Sequence, residues 1–287
     1  ILAKALTRNA SLLLGAIRRV REGEYSHRVE PRGKDEMAQL ATEFNQLTDR
    51  LQTTEEVRRR FVSDASHELK TPLASIRLLT DSILQNPNVD MDTVREFVED
   101  IGEEADRLTR ISERLLTLTR LDADRERPQE PVELGPVVDK VAHMLRPLAQ
   151  AVNVELRCSL EPACTLLATE DDLYQVAFNL MENAIKYNLP GGKVDVTVCH
   201  EEDQVCLIVE DTGVGIPEED MPKIFDRFYR VDKARSRAAG GTGLGLSIAR
   251  DTARLHRGDI IVQAGTGGKG TRFEARFPAL AGEEGTE

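Results

Sequence analysis

Residues 61–73 read Phe-Val-Ser-Asp-Ala-Ser-His67-Glu68-Leu-Lys-Thr71-Pro72-Leu. On a helix turning about 100° per residue, His67 lies about 160° from Leu69, opposite the apolar stripe to which Leu69 belongs. The imidazole is therefore expected to be exposed, and a neutral exposed imidazole is a nucleophile. Glu68 is its immediate neighbour, and Thr71, at i+4, shares nearly the same face. Pro72 lacks the N–H that would bond the carbonyl of Glu68, and its ring clashes there, so a bend is expected just past the histidine. A lone His-Glu pair on a helix surface would carry no such meaning; the length of the string gives it weight.

Four later segments carry groups suited to a nucleotide. Asn179 and Asn183 stand one turn apart in Asn179-Leu-Met-Glu-Asn183-Ala-Ile-Lys186-Tyr187-Asn188. Asn is a poor interior helix residue, so two at i, i+4 ask for a reason. A side-chain carbonyl is a hard ligand for Mg²⁺, and Lys186 is placed to meet a phosphate. Asp211-Thr-Gly213-Val-Gly215-Ile216 follows an alternating strand. There the glycines admit a purine to the backbone, and Asp211 is expected to accept a bond from the adenine amino group. Arg227, Arg230, Lys233, Arg235 and Arg237 then gather positive charge before Gly240. Last, Gly241-Thr242-Gly243-Leu244-Gly245 opens a helix whose first N–H groups favour anions. Thr271, at the start of the final strand, joins Tyr187 and these glycines as a candidate nucleotide contact. A dinucleotide-binding loop is excluded, because Leu246 stands where the third Gly belongs and no apolar strand precedes; no G-x-x-x-x-G-K-[ST] occurs.

The elements that must position these groups divide into two styles. Leu6, Ala10, Leu13, Ile17 and Val20 form a seam with spacings of 4 and 3 that Gly23 ends. After a connector over residues 24–34, Asp35 is expected to cap a second helix with the seam Met37, Leu40, Phe44, Leu47 and Leu51. Two such helices cannot cover both stripes alone, and a parallel four-helix dimer is expected. A third stripe, Val57, Phe61, Ala65, Leu69, Leu73, Ile76 and Ile83, is out of phase with the second, a break that alters coiled-coil winding. A turn over residues 86–92 containing Pro87 leads to a return helix, with Val94, Val98, Ile101, Ala105, Leu108, Ile111, Leu115 and Leu118 on one side. The hairpin is half of another four-helix bundle. Residues 125–131 read as a linker. From Val132 on, helices are expected over 136–150, 171–187 and 243–257, with strands near 152–160, 193–200, 204–210, 259–264 and 271–277, an α+β sandwich.

Composition sets the outer limits. The chain has 287 residues, 40% apolar, with 50 acidic against 38 basic side chains and a net charge of −12, which argues against nonspecific nucleic-acid binding. A site for a polyanion must then be built locally. Cys158, Cys164, Cys199 and Cys206 show no zinc spacing and read as buried, reduced thiols. No run approaches the roughly 18 apolar residues of a membrane span. Because the sequence starts at Ile1, a fragment is expected.

The string His67-Glu-Leu-Lys-Thr-Pro-Leu resembles the H box of histidine kinases. The segments around Asn183, Asp211, Phe225 and Gly243 resemble the N, G1, F and G2 boxes of the GHKL ATPases, in histidine-kinase order. The first 54 residues resemble a HAMP relay, although Ala38 stands where that domain usually has Gly. In the His256-Arg257-Gly258 stretch Arg257 replaces a frequent Gly. The resemblance implies dimeric all-α bundles over residues 1–54 (relay) and 55–125 (phosphotransfer hairpin), followed by a GHKL-type α+β two-layer sandwich over 126–287. It makes His67 the phosphoacceptor, Glu68 the group that orients the ring and takes its proton, and Thr71 the holder of a water for phosphatase activity. It implies ATP and Mg²⁺, the latter on Asn183 and Asn179, a homodimer, and a response-regulator receiver domain as partner. The fragment is expected to be the cytoplasmic part of a membrane receptor, tied to the membrane through an upstream segment. A nucleotide-sensing scaffold or phosphatase-only regulator and an ATP-driven clamp are the competing readings; intact His67, Glu68, Asn183 and Asp211 weigh against the first, and the His67 segment with the hairpin against the second.

Overall fold

The computed structural model describes residues 2–31, 35–86, 89–123, 128–232 and 241–280. The expectations for Lys34, Pro87, residues 125–127, Lys233, Arg235, Arg237 and Gly240 lie outside them, as does the side chain of Leu6. The chain forms two compact units, Ile1–His67 and Glu68–Glu287. No described helix is long and apolar enough to cross a membrane.

The first unit holds α1 (Leu2–Arg21) and most of α2 (Glu36–Gln85). α1 ends in a turn that places Gly23 at φ +94°, a conformation glycine adopts without strain. Asp35 caps α2 as expected, its Oδ1 accepting from the N–H of Ala38 at 3.0 Å. The connector is clamped onto α2. Asn45 bonds both the N–H and the C=O of Val29, at 2.9 and 2.8 Å, and Arg28 reaches Asp49 and Gln52. The predicted seams are those of a dimer, and a single chain leaves them open. Ala16, Ala38, Ala41 and Thr48 are the buried residues, whereas Ile17, Leu40, Leu47 and Leu51 are exposed. Small side chains are thus covered within a single chain, and the large apolar ones are left uncovered. The shift in heptad phase after Leu51 does not interrupt the helix, which also continues through Pro72.

In the second unit, α3 (Met91–Ala123) starts at an Asp90 cap, whose Oδ1 accepts from the Thr93 N–H at 2.8 Å. Ile111 and Leu118 are fully buried, and α3 packs against α6 (Gly245–Leu255) of the sandwich. The sandwich comprises β1 (Glu130–Glu133), α4 (Leu134–Ala151), β2 (Glu155–Leu160), β3 (Thr165–Ala168), α5 (Glu170–Lys186), β4 (Lys193–Glu201), β5 (Gln204–Asp211), α6, β6 (Asp259–Ala264) and β7 (Thr271–Pro278). Its main sheet has the order β2-β4-β5-β7-β6, antiparallel except for the β2–β4 pair. Part of the expected linker is instead strand β1, which pairs with β3, a strand the sequence patterning did not suggest. Pro131 is tolerated because β1 is an edge strand of a two-stranded sheet.

The core lies between the main sheet and helices α4, α5 and α6, and is built from residues such as Val141, Leu173, Leu180, Val196, Leu207, Phe273 and Phe277. Alternation along β4, with Val194, Val196 and Val198 inward, is the period-2 pattern of a sheet covered on one face. Cys164 and Cys206 are buried, but Cys158 and Cys199 are only half-buried, and all four are unbridged.

Candidate functional site

A cavity of about 310 Å³ opens beside α5. It is lined by Asn179, Asn183, Lys186, Tyr187, Asp211, Gly215, Arg230, Gly241, Thr242, Gly243, Gly245 and Thr271, so the four nucleotide-like segments converge. Gly213 and Leu244 are not among the residues that line the cavity; both are buried in the segments that form it.

Local packing explains the use of glycine at two points. A Cβ on Gly213 would sit 2.4 Å from the carbonyl oxygen of Tyr187, so the end of α5 and the loop after β5 meet only because that side chain is absent. Gly243, at φ +71°, lies against the backbone of Phe228, where a Cβ would come within 2.7 Å of the Phe228 carbonyl carbon. The Phe228 N–H donates to the Gly243 carbonyl at 2.8 Å, and Phe228 itself takes φ +64°. A non-glycine residue there costs about 1–3 kcal/mol. The contact joins the segment around Phe225 to the glycine loop.

Asp211 ends β5 and is 4% exposed. Its Oδ1 accepts from the N–H groups of Gly213 at 2.8 Å and Thr271 at 3.3 Å. Burial outweighs those bonds and pushes its carboxyl up to about 6. A carboxylate held in this way at the wall of a cavity is an acceptor waiting for a donor.

Asn179 is 4% exposed, and its Nδ2 has no protein hydrogen-bond partner. A buried amide without a partner is costly, and a polar ligand in the cavity is one remedy. A Cβ at Gly245 would lie 3.1 Å from its Oδ1, so the first residue of α6 must be small for that amide to fit. The side-chain oxygens of Asn183 and Asn179 are the hard donors available to a Mg²⁺ on phosphate. A separate group, Glu201, Cys206 and Glu274, also brings possible metal ligands together. There, however, Arg276 pairs with both carboxylates, and burial pushes the Cys206 thiol up to about 12, keeping it protonated.

Lys186 lines the cavity, and its Nζ pairs with Glu182 at 2.8 Å. Glu182 also meets Arg114 of α3 at 3.1 Å, and Arg114 Nη1 donates to the Thr242 hydroxyl at 2.7 Å. Arg227 is outside the cavity and donates to Asp251 on α6 at 3.1 Å. Arg114, Glu182 and Tyr229, the last bonded to Asp220 at 2.6 Å, line the cavity without having been anticipated. Arg114 is remote in sequence from the nucleotide segments; its signal is a cation directly beside the apolar stripe of α3.

On α2, His67 is exposed, as the helical geometry requires, and so is Thr71, whereas Pro72 is buried. Glu68 is half-buried beside Arg107 of α3, which stands 3.7 Å from its carboxylate and 3.6 Å from that of Glu104.

Residues 168–281 match the family described as histidine kinase-, DNA gyrase B- and HSP90-like ATPase, residues 57–124 the His kinase A (phospho-acceptor) domain, and residues 1–53 the HAMP domain. The signal transduction histidine-protein kinase BaeS of Escherichia coli (strain K12) is 32% identical over 266 residues, which are 91% of this chain and 56% of BaeS. The sensor histidine kinase MtrB of Mycobacterium tuberculosis (strain ATCC 25618 / H37Rv) is 35% identical over 279 residues, 93% of this chain and 48% of MtrB. Full-length ShkA, solved in complex with AMPPNP, is 26% identical and aligns with a TM-score of 0.56, over 79% of this chain and 46% of ShkA. The chain thus spans about half the length of the curated relatives it matches. With a HAMP segment, a phospho-acceptor hairpin and a GHKL-type ATPase domain in that order, the chain belongs to the sensor histidine kinases of two-component systems.

Proposed function

We propose that this chain is an ATP-dependent kinase that phosphorylates its own His67 and passes the phosphoryl group to an aspartate on a response-regulator receiver domain. The observation that carries the reading is the convergence of Asn183, Asp211, Gly215 and Gly243 on one cavity, in a chain whose phospho-acceptor segment presents an exposed imidazole. Asp211 receives the adenine amino group, and the glycine loop with the start of α6 receives the phosphates. Mg²⁺, held by the side-chain oxygens of Asn183 and Asn179 together with the phosphates, would offset charge developing on the transferred group. A ring nitrogen of neutral His67 bonds to the γ-phosphorus while the bond from that phosphorus to the β,γ-bridging oxygen breaks. ADP leaves, and the ring proton goes to Glu68. Thr71 serves the reverse reaction by holding the water that hydrolyses the phosphorylated partner.

The working unit is a homodimer, supported by the large apolar side chains that a single chain leaves uncovered on α1, α2 and α3. Residues 1–54 act as relay, 55–125 as phosphotransfer hairpin and 126–287 as catalytic domain. An upstream segment ties the assembly to a membrane, a reading supported by the HAMP match. The AMPPNP bound by ShkA supports the choice of nucleotide.

Incubation with γ-labelled ATP and Mg²⁺ tests the reading. The chain should acquire label that is acid-labile and base-stable. His67→Ala should abolish it, and Asn183→Ala should remove its Mg²⁺ dependence together with most of the signal. Label that persists in His67→Ala would show that the acceptor lies elsewhere.

A further inference from the structure

We propose that Arg114, on the phosphotransfer hairpin rather than on the sandwich, is a phosphate-binding residue of the nucleotide cavity. The inference rests on the nucleotide reading above and extends that site to a helix outside the ATPase segment.

Arg114 lies on α3 between Ile111 and Leu118, at i−3 and i+4, on the face that these two fully buried side chains define. α3 packs there against α6, the helix opened by the glycine loop. The guanidinium lines the cavity, with its side chain 19% exposed. It donates to the hydroxyl of Thr242, between the two glycines of the loop, and to the carboxylate of Glu182. A guanidinium has five N–H donors in a planar fork. These two bonds leave donors over.

The charge count at this end of the cavity points the same way. Glu182 answers both Arg114 and Lys186, so one carboxylate is shared by two cations that line the cavity. A cation this deeply placed is costly without full compensation. A polyphosphate supplies the missing negative charge, and an arginine fork meets phosphate oxygens in bidentate fashion. Asp211 forms its own group with Gly213 and Thr271 at the other identified contact, the one suited to a base. Because α3 would then provide one of the ligand's partners, nucleotide binding and the packing of α3 on α6 become linked: each favours the other.

The test measures binding of AMPPNP with Mg²⁺ and of adenosine to the whole 287-residue chain by calorimetry, in the parent, Arg114→Ala, Arg114→Lys and Glu182→Gln. Arg114→Ala should weaken AMPPNP about tenfold or more, the usual worth of a charge-assisted bond, and leave adenosine within about twofold. Arg114→Lys should fall between the parent and Arg114→Ala. Glu182→Gln, which releases both cations, should bind AMPPNP at least as tightly as the parent. The proposal is overturned if Arg114→Ala binds AMPPNP like the parent, or if adenosine loses as much as AMPPNP. It is equally overturned if Glu182→Gln weakens AMPPNP as Arg114→Ala does, since Arg114 would then be only half of an ion pair that packs α3. A parent that binds neither ligand would sink the nucleotide reading itself and this proposal with it.

Discussion

The N-terminal helices and the C-terminal sandwich solve the same problem in opposite ways. The sandwich covers its own apolar surface: Leu173, Leu180, Leu207, Phe273 and Phe277 are all fully buried by residues of the same chain. In α1 and the first part of α2, Leu14, Leu40, Leu47, Val57 and Val62 are each about half exposed or more, and the buried residues are Ala16, Ala38, Ala41 and Thr48. Burial of one leucine-sized side chain is worth about 1.5–3 kcal/mol. A region that withholds several of them is poised to gain that energy from another molecule. The difference separates a part that can fold alone from a part whose order depends on assembly, and a relay benefits from being the second kind.

The contrast breaks most readily in the sandwich core. Phe273→Ala removes a fully buried ring that meets Phe225 edge-on at 6.4 Å between centroids, and should cost about 3–5 kcal/mol in denaturant unfolding whatever the protein concentration. The matching change in the helical part, Leu47→Ala, should leave the unfolding of the sandwich untouched. It should instead shift the dimer to higher dissociation constant in sedimentation, by about a thousandfold, in line with the loss of about 2 kcal/mol in each of two chains. Concentration-independent helicity in Leu47→Ala and the parent alike would remove the distinction.

Asp211 sharpens the comparison from within the site. Its carboxyl is raised from an ordinary value near 3.8 to about 6, mainly by burial. The sign follows from linkage: the stability it contributes is fully present below about pH 3.8 and is lost as pH rises through about 6, because the folded state holds the proton more tightly. The charged form at pH 7 therefore costs up to about 3 kcal/mol. Asp211→Asn should raise the melting temperature at pH 7 while weakening nucleotide binding. In the parent, adenosine affinity should fall by up to tenfold between pH 7 and pH 5, and that dependence should vanish in Asp211→Asn. Smallest of all, Asp35→Ala should cost about 1 kcal/mol through loss of the α2 cap, read as reduced helicity near the connector.

Much of this was legible because the relevant residues act through local rules. Helix periodicity alone places His67 opposite Leu69, and the alternation of β4 and the glycines after β5 mark the sheet and its loop. Other features depend on partners distant in the chain. β1 and β3 are four residues each and find one another across α4 and β2, so neither has a pattern long enough to read. The seams of α1 and α2 were placed on the large apolar residues, yet in a single chain Ala38 and Ala41 are buried while Leu40, Leu47 and Leu51 stay exposed, because the cover for the large residues is not local. That Glu182, four residues before Lys186, pairs with it at the cavity shows only in the fold. Arg114 illustrates the same limit, since its partners Glu182 and Thr242 lie 68 and 128 residues away.

The strand order carries a consequence for synthesis. β7 is the last strand in sequence, yet it sits between β5 and β6 rather than at an edge, and Thr271 at its start bonds Asp211. During translation β5 can pair with β4, but its other edge and β6 must wait for β7, and so for the emergence of Pro278. Only then can the sheet close and the Asp211 carboxylate find its second donor. The cavity beside α5 is thus incomplete until nearly all of the sandwich has been made.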